Sequence, residues 1–556
     1  MVSNIRLTVL ISLIVALGAV NCVTTAGDET VDVQECLRKA LDAATSIDNR
    51  QLQEETLRDI GLAQVCAGDL AAGRRTIQGS KDAETAASVL AAIGLAQAKA
   101  KDAAARATLA EARRFAERVS HPRARELLLH AILTAHAAAG QDAEAAQIAQ
   151  SFPDRLDQAY GFLAIAQAQI AQGRREQARA TVAKAAGANR RTLDVFDMSA
   201  WEQILPMYLQ LGQVAEAAKL AHAISKGSYW RCNALCALAR HEAKAGRASA
   251  ETFAEAFQAA RDIEDREPCR KIHLAAVVQD VIDVGDLEGA MKWAQLVPDS
   301  DSKAILLGAI AGSKAKAGDR TAARTILQQA LHIAEHEKDG CQRVDALASL
   351  AVRQAAMGDR AAADATLAKA LEAGKIESAG FDYAQAVTRV AEAQVKMGDR
   401  TSAEKTLLEA SRHARAVSVA KDRADEAREI AAGQIAAGLP VAAQATLRDV
   451  LLPALPLDKS PRDGYQEAAL LLAKAGDFAA GYAVARKIRE PGPQSWAVRT
   501  VAFHQALAQG AGGAMAAAKD SNPRLQSAAY LGAALGLLNR RGIEVRSHYG
   551  VLLIDE

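Results

Sequence analysis

His332 and His336 stand four residues apart, the spacing at which two imidazoles on one helix face can share a metal ion. No third ligand lies near them, and the run HIAEHEKD reads as a solvated, charged helix face. Cys232 and Cys236 repeat the four-residue spacing with His273 a helix further on, which is a weaker ligand set still. Gly-rich phosphate loops, His-Glu-x-x-His, Gly-x-Ser-x-Gly and paired Cys-x-x-Cys motifs do not occur. The carboxylates are spread along helical surfaces, where i,i+4 ion pairing accounts for them. No catalytic residue, metal ligand or cofactor site is therefore assigned, and the expectation is of a chain that is not an enzyme.

Cysteine chemistry offers one further constellation. The chain has seven cysteines, and removal of an N-terminal leader containing Cys22 leaves six. Cys36 lies in the first helical pattern of the remaining chain and Cys66 near the end of the second, so an antiparallel pair of helices brings them together. They read either as a disulfide or as two buried thiols acting as small hydrophobes. Cys269 has the same two readings against Cys232 or Cys236, and Cys341 stands apart.

Binding chemistry is suggested by the aromatic residues. Of 9 Phe, 8 Tyr and 4 Trp, 11 fall between Phe152 and Trp293. Aromatic residues and arginine anchor protein interfaces, and Tyr229-Trp230-Arg231 opens a helical pattern with Trp201 not far upstream. These four residues are the candidate partner-binding set. The competing reading is that large side chains fill wider gaps between irregular helices, and Phe257 and Trp293 fit it.

The elements that position these groups are written as a repeat. Gly318, Gly358, Gly398 and Gly438 are each 40 residues apart, and the first three continue as AKAGDRTAARTILQQAL, AAMGDRAAADATLAKAL and VKMGDRTSAEKTLLEAS. Upstream the equivalent positions are Gly68, Lys101, Gly140, Gly173, Gly212, Gly246 and Gly285, at alternating spacings of 33–34 and 39. Gly476 and Gly510 follow downstream. A fixed period of this length marks an array whose units bury their apolar faces only by stacking. The glycine ends one helix in the left-handed conformation, and the following aspartate caps the next. Alanines such as Ala323 and Ala330 let the two helices approach closely while Leu327 fills the space between hairpins. The predicted fold is all-α, with about a dozen antiparallel helical hairpins.

These residues resemble the tetratricopeptide (TPR) family, in a long-repeat variant of the exported bacterial type. The family pattern is glycine at the turn, alanine five residues on, a large apolar residue nine on and alanine twelve on. Gly318, Ala323, Leu327 and Ala330 match it, as do the sets beginning at Gly358 and Gly398. Gly438, Ala443, Leu447 and Val450 match with one change, and Gly173, Ala178, Val182 and Ala185 carry the pattern upstream. The first helices depart from it, with Leu347, Ala351 and Gln354 in place of the usual Trp, Gly and Tyr. The resemblance implies a right-handed superhelical solenoid whose groove takes a protein or peptide. It does not extend to a carboxylate clamp, because the groove positions are Gly308, Gly312, Ala348, Val352, Thr388 and Glu392.

The N-terminus supplies the second strong signal. Arg6 precedes an unbroken apolar run from Leu7 to Val20, then small and polar residues through Ala26, the form of a cleaved secretory signal. Lipidation at Cys22 is the less favoured reading, since Asn21 precedes it. Boundaries follow: signal peptide 1–26; helical array 27–510, with alternating hairpins to 317, regular ones at 318–450 and Pro-containing ones at 451–510; and a C-terminal cap and tail at 511–556. With 67 basic against 66 acidic residues, no nucleic-acid partner is implied, and no later segment is apolar enough for stable membrane insertion. The expectation is a periplasmic or secreted scaffold for a protein partner; the alternative is a small-molecule-binding or weakly enzymatic repeat protein with a site assembled across helices.

Overall fold

The computed structural model describes residues 28–189, 200–263, 267–377, 381–455 and 462–543. The leader at 1–26, Phe196 and the alternating tail from 544 lie outside them. Every regular element among the described residues is a helix. The helices follow one another as antiparallel hairpins, so the tetratricopeptide-like, all-α repeat architecture expected from the period is the one observed.

The turn chemistry explains why the chain folds this way. Gly68, Gly140, Gly173, Gly212, Gly246, Gly285, Gly318, Gly358, Gly398, Gly438 and Gly476 all have positive φ, and so does Lys101, the only other residue type at this position. At Gly318 the amide donates to Ala315 O at 3.1 Å and the Asp319 amide to Lys314 O at 3.0 Å, closing the first helix. The Asp319 carboxylate then accepts from the Ala322 amide and caps Arg320–Glu335. Asp359 and Asp399 do the same for the next two hairpins. The arginine that follows reaches forward one unit: Arg360 donates to Met397 O at 2.9 Å and to Asp399 at 2.6 Å, and Arg400 donates to Gly438 O. Behind each turn the pattern residues are buried, from Ala323, Leu327 and Ala330 to Ala443, Leu447 and Val450. In that last unit Pro440–Thr446 continues through a π-helical turn at Leu447–Leu451, just ahead of Pro453, which has no amide to donate to a regular helix.

A second device closes the opposite edge, between hairpins. The fourth residue after the N-cap turns its side chain back onto the carbonyls that end the previous helix. Gln53 donates to Ala44 O and Thr45 O, Gln158 to Phe152 O, Arg343 to Glu337 O, Arg423 to Val417 O, Gln494 to Arg486 O and Gln526 to Lys519 O.

The chain divides into two compact units, Met1–Met207 with Ser460–Glu556, and Tyr208–Lys459. The first unit is thus built from both ends of the chain. Its Asp28–Ala44 helix packs on Pro523–Arg540 and touches Ala511–Ala518. Ser527 Oγ donates to Ala40 O at 2.8 Å in the buried contact, and Cys36 Sγ lies 3.6 Å from Met515 Sδ. Pro523–Arg540 also crosses Pro491–Gln509 closely, because a Cβ at Gly532 or Gly536 would fall on the carbonyl oxygen of Arg499 or Phe503.

The cysteines depart from the disulfide reading. Cys36 and Cys66 are not joined: Cys36 faces the C-terminal helices, while burial pushes the Cys66 thiol up to about 11 near Lys99. Cys232 and Cys236 are both buried, and the bond from Cys232 together with burial raises the Cys236 thiol far above its usual range. Cys269 is not bridged to either, although its carbonyl accepts from His273 Nδ1 at 2.7 Å.

Candidate functional site

Tyr229 and Trp230 open the Tyr229–Lys244 helix, which Ser228 caps with a bond to the Trp230 amide. A helix N-terminus at an inter-hairpin loop leaves side chains of its first turn with few neighbours. Tyr229 is 38% exposed, its ring 4.5 Å from that of Trp230 and 5.3 Å from His273 on the next first helix. Ile272, beside His273 in sequence, is 65% exposed, and Leu296, in the following inter-hairpin loop, 55%. Leu408, Val419 and Val441 are also exposed, but without a ring cluster beside them.

The other two residues of the candidate set are used differently. Trp201 is buried, with its indole Nε1 lacking a hydrogen-bond acceptor, so it offers no surface to a partner. Arg231 Nη1 donates to His222 O at 2.7 Å and Ile224 O at 2.8 Å, clamping the end of Val214–Ala223. Its charge serves the loop rather than standing free beside the rings. His273, by contrast, enters the cluster through a contact between successive hairpins that no local motif signals.

The groove positions inherited from the family pattern are largely covered. Gly308, Ala348 and Thr388 are buried, and the Arg353 side chain lies against Gly308 and Gly312. Burial pulls the Arg353 guanidinium below its usual range, and its Nε has no acceptor. His332 and His336 stack at 4.4 Å, with His336 Nδ1 bonded to His332 O at 2.7 Å. Among the described residues no group of three or more His, Cys, Asp or Glu side chains is arranged to hold a metal ion, and no helix is long and apolar enough to cross a membrane.

A cavity of about 710 Å³ lies within the first unit, where Arg50–Cys66 meets the C-terminal helices. On its wall Arg499 Nη1 donates to Asp59 Oδ2 at 2.7 Å, and Arg58 reaches Asp59 at 3.5 Å and Glu84 at 3.3 Å. Arg58 and Asp59 are both buried. Arg524 donates to Ser495 Oγ at 2.7 Å, to Gln494 Oε1 at 2.6 Å and to Pro491 O. Trp496 completes the wall with Leu52 and Leu470. None of these residues forms a motif, because the cavity joins segments more than 400 positions apart.

No family model matches the chain, and no curated protein matches it. Among solved structures, Ton1535 from Thermococcus onnurineus NA1 is similar at 16% identity over 51% of this chain and 96% of its own, with a TM-score of 0.22. The Naa15/Naa10 complex bound to HypK-THB is similar at 14% identity over 85% of this chain and 80% of its own, TM-score 0.28. The APC/C hetero-tetramer Cut9–Hcn1 is similar at 10% identity over 89% and 98%, TM-score 0.24. The class is defined by the hairpins themselves: this is a tetratricopeptide-like helical-repeat protein.

Proposed function

We propose that the protein is an exported, non-enzymatic scaffold that holds a protein partner, and that the Tyr229–Trp230–His273 cluster with Ile272 is the contact surface. The observation that carries this reading is the pairing of an exposed ring cluster with an exposed isoleucine at one inter-hairpin edge, in a protein whose groove positions at Gly308, Gly312 and Ala348 are occupied by its own side chains. Aromatic anchors of this kind carry most of the free energy of protein interfaces. The apolar run at Leu7–Val20 supports export, which N-terminal sequencing of the mature chain tests directly.

A photo-crosslinking residue placed at Tyr229 or Ile272 in cells should give one reproducible adduct. The same residue at the exposed Lys369, which pairs with Glu335 at 2.6 Å, should give none. Equal labelling at all three positions, or none at 229 and 272, overturns the assignment. Arg231 is kept in this experiment because its removal opens the loop after Val214–Ala223.

A further inference from the structure

We propose that the cavity in the first unit binds an organic monoanion with an apolar body, its acid group on Arg524 and its body against Trp496, Leu52 and Leu470. The cavity's 710 Å³ lies within the roughly 300–1,000 Å³ of small-molecule sites. Its charges decide the class of ligand. Arg58 and Arg499 also stand on the wall, but both are matched by the buried Asp59, and Arg58 additionally by Glu84. Arg524 differs from them. All of its partners are neutral, namely a carbonyl, a hydroxyl and an amide oxygen, and none of them compensates the charge. Partial burial of this guanidinium lowers its affinity for the proton, and no carboxylate acts in the other direction. Removing a charge from water without a counter-charge is costly, and a ligand acid group supplies the missing partner, with Arg offering two parallel donors.

The carboxylates on the wall do not fill that role. Asp59 is spent on the two other arginines, Glu55 accepts from Gln51 at 3.1 Å, and Glu467 is exposed. The apolar share of the wall selects against small inorganic ions, which would leave Trp496 and the leucines facing water. This site is independent of the Tyr229 edge, since its residues belong to other helices and its ligand to another chemical class.

The test uses the whole mature chain and two probes of the same shape, 8-anilinonaphthalene-1-sulfonate and the uncharged N-phenyl-1-naphthylamine. The sulfonate should bind saturably at one site, at least tenfold tighter than the neutral probe, with transfer from tryptophan. Arg524→Gln should weaken the sulfonate about tenfold and leave the neutral probe unchanged, while Arg524→Lys should keep most of the affinity. Trp496→Leu should weaken both probes. Circular dichroism and melting of each variant separate a lost site from a lost fold, and the lysine variant covers the case in which glutamine unfolds the junction. Equal affinity for the two probes, or a sulfonate affinity untouched in Arg524→Gln, overturns the proposal.

Discussion

Lys101 is the one described non-glycine residue with positive φ, 56°, at a turn where the other hairpins use glycine. A Cβ in the left-handed region costs about 1–2 kcal/mol, so Lys101→Gly should stabilise the Ala83–Lys99 hairpin by about 1 kcal/mol, read as slower amide exchange in that helix. This residue was legible beforehand, because the spacing of 33 and 39 residues places it in the glycine column whatever its type. Arg231 was not legible, since nothing local distinguishes an arginine that clamps two carbonyls from one that waits for a partner. The acidic pair at Asp299 and Asp301 was equally silent in sequence. Burial and the bond to Asp299 raise Asp301 to about 7. Burial acts on Asp299 in the same direction, but bonds from Asp301 and Ser302 and the Lys271 ammonium 3.2 Å away hold it down to about 2. The two carboxyls therefore share one proton near neutral pH and titrate as a pair. Because folded Asp301 holds its proton more tightly than the unfolded chain, stability from this site should fall as pH rises from about 4 to about 7 and then level. The Asp299 contribution runs the other way and is lost only as pH falls from about 4 toward 2. Asp301→Asn should flatten the unit's urea midpoint between pH 5 and 8; a slope unchanged from wild type would remove Asp301 as its source.

At the scale of the helix and its loops, the turn edge and the inter-hairpin edge are built by different chemistry. The turn edge is readable: glycine, capping aspartate and buried alanines recur at fixed offsets, and Gly318, Asp319 and Ala323 behave as that pattern predicts. The inter-hairpin edge is closed by a glutamine or arginine four residues after the N-cap. Gln53, Gln158, Arg343, Arg423, Gln494 and Gln526 share the role but neither residue type nor a constant distance from the glycine, so repeat spacing conceals them. Gln53→Ala removes two bonds at once, to Ala44 O and Thr45 O, each 3.1 Å. At about 0.5–1.5 kcal/mol per bond, the change should cost about 1–3 kcal/mol and raise exchange first in the residues just after Asp28–Ala44. Gln53→Glu cannot donate and should behave like alanine. Close helix crossings add a constraint of another kind: Gly532→Ala drives a methyl onto the Arg499 carbonyl, and should cost about 1–3 kcal/mol because backbone must move.

For the molecule as a whole, a periodic sequence specifies neighbours and is silent about distant partners. A simple array predicts that each hairpin depends on the next and that loss of one end leaves the other intact. The first unit departs from this, because its opening helix has its apolar face covered by the last two described helices. Val33, Leu37, Ala40 and Ala44 are buried in that helix, and Ser527, Met515 and Arg499 supply contacts across more than 400 residues. The pairing leaves no period to detect, which is why 511–556 read as a cap and tail while its helices belong to the core. Removing 511–556 should therefore unfold the N-terminal helices rather than only shorten the C-terminus. Uncovering Val33 and Leu37 alone forfeits about 1.5–3 kcal/mol each, and the Ser527 bond to Ala40 O is lost with them. That is a large part of the 5–15 kcal/mol that stabilises a typical domain. Hydrogen exchange read by mass spectrometry decides the matter: protection across 28–66 should collapse in the truncated chain while Ser300–Lys316 and Gly340–Ala356, in the second unit, keep theirs. Full protection at 28–66 after truncation would show that the first hairpin stands on its sequence neighbours alone, and that the contacts between the chain's two ends add nothing to its stability.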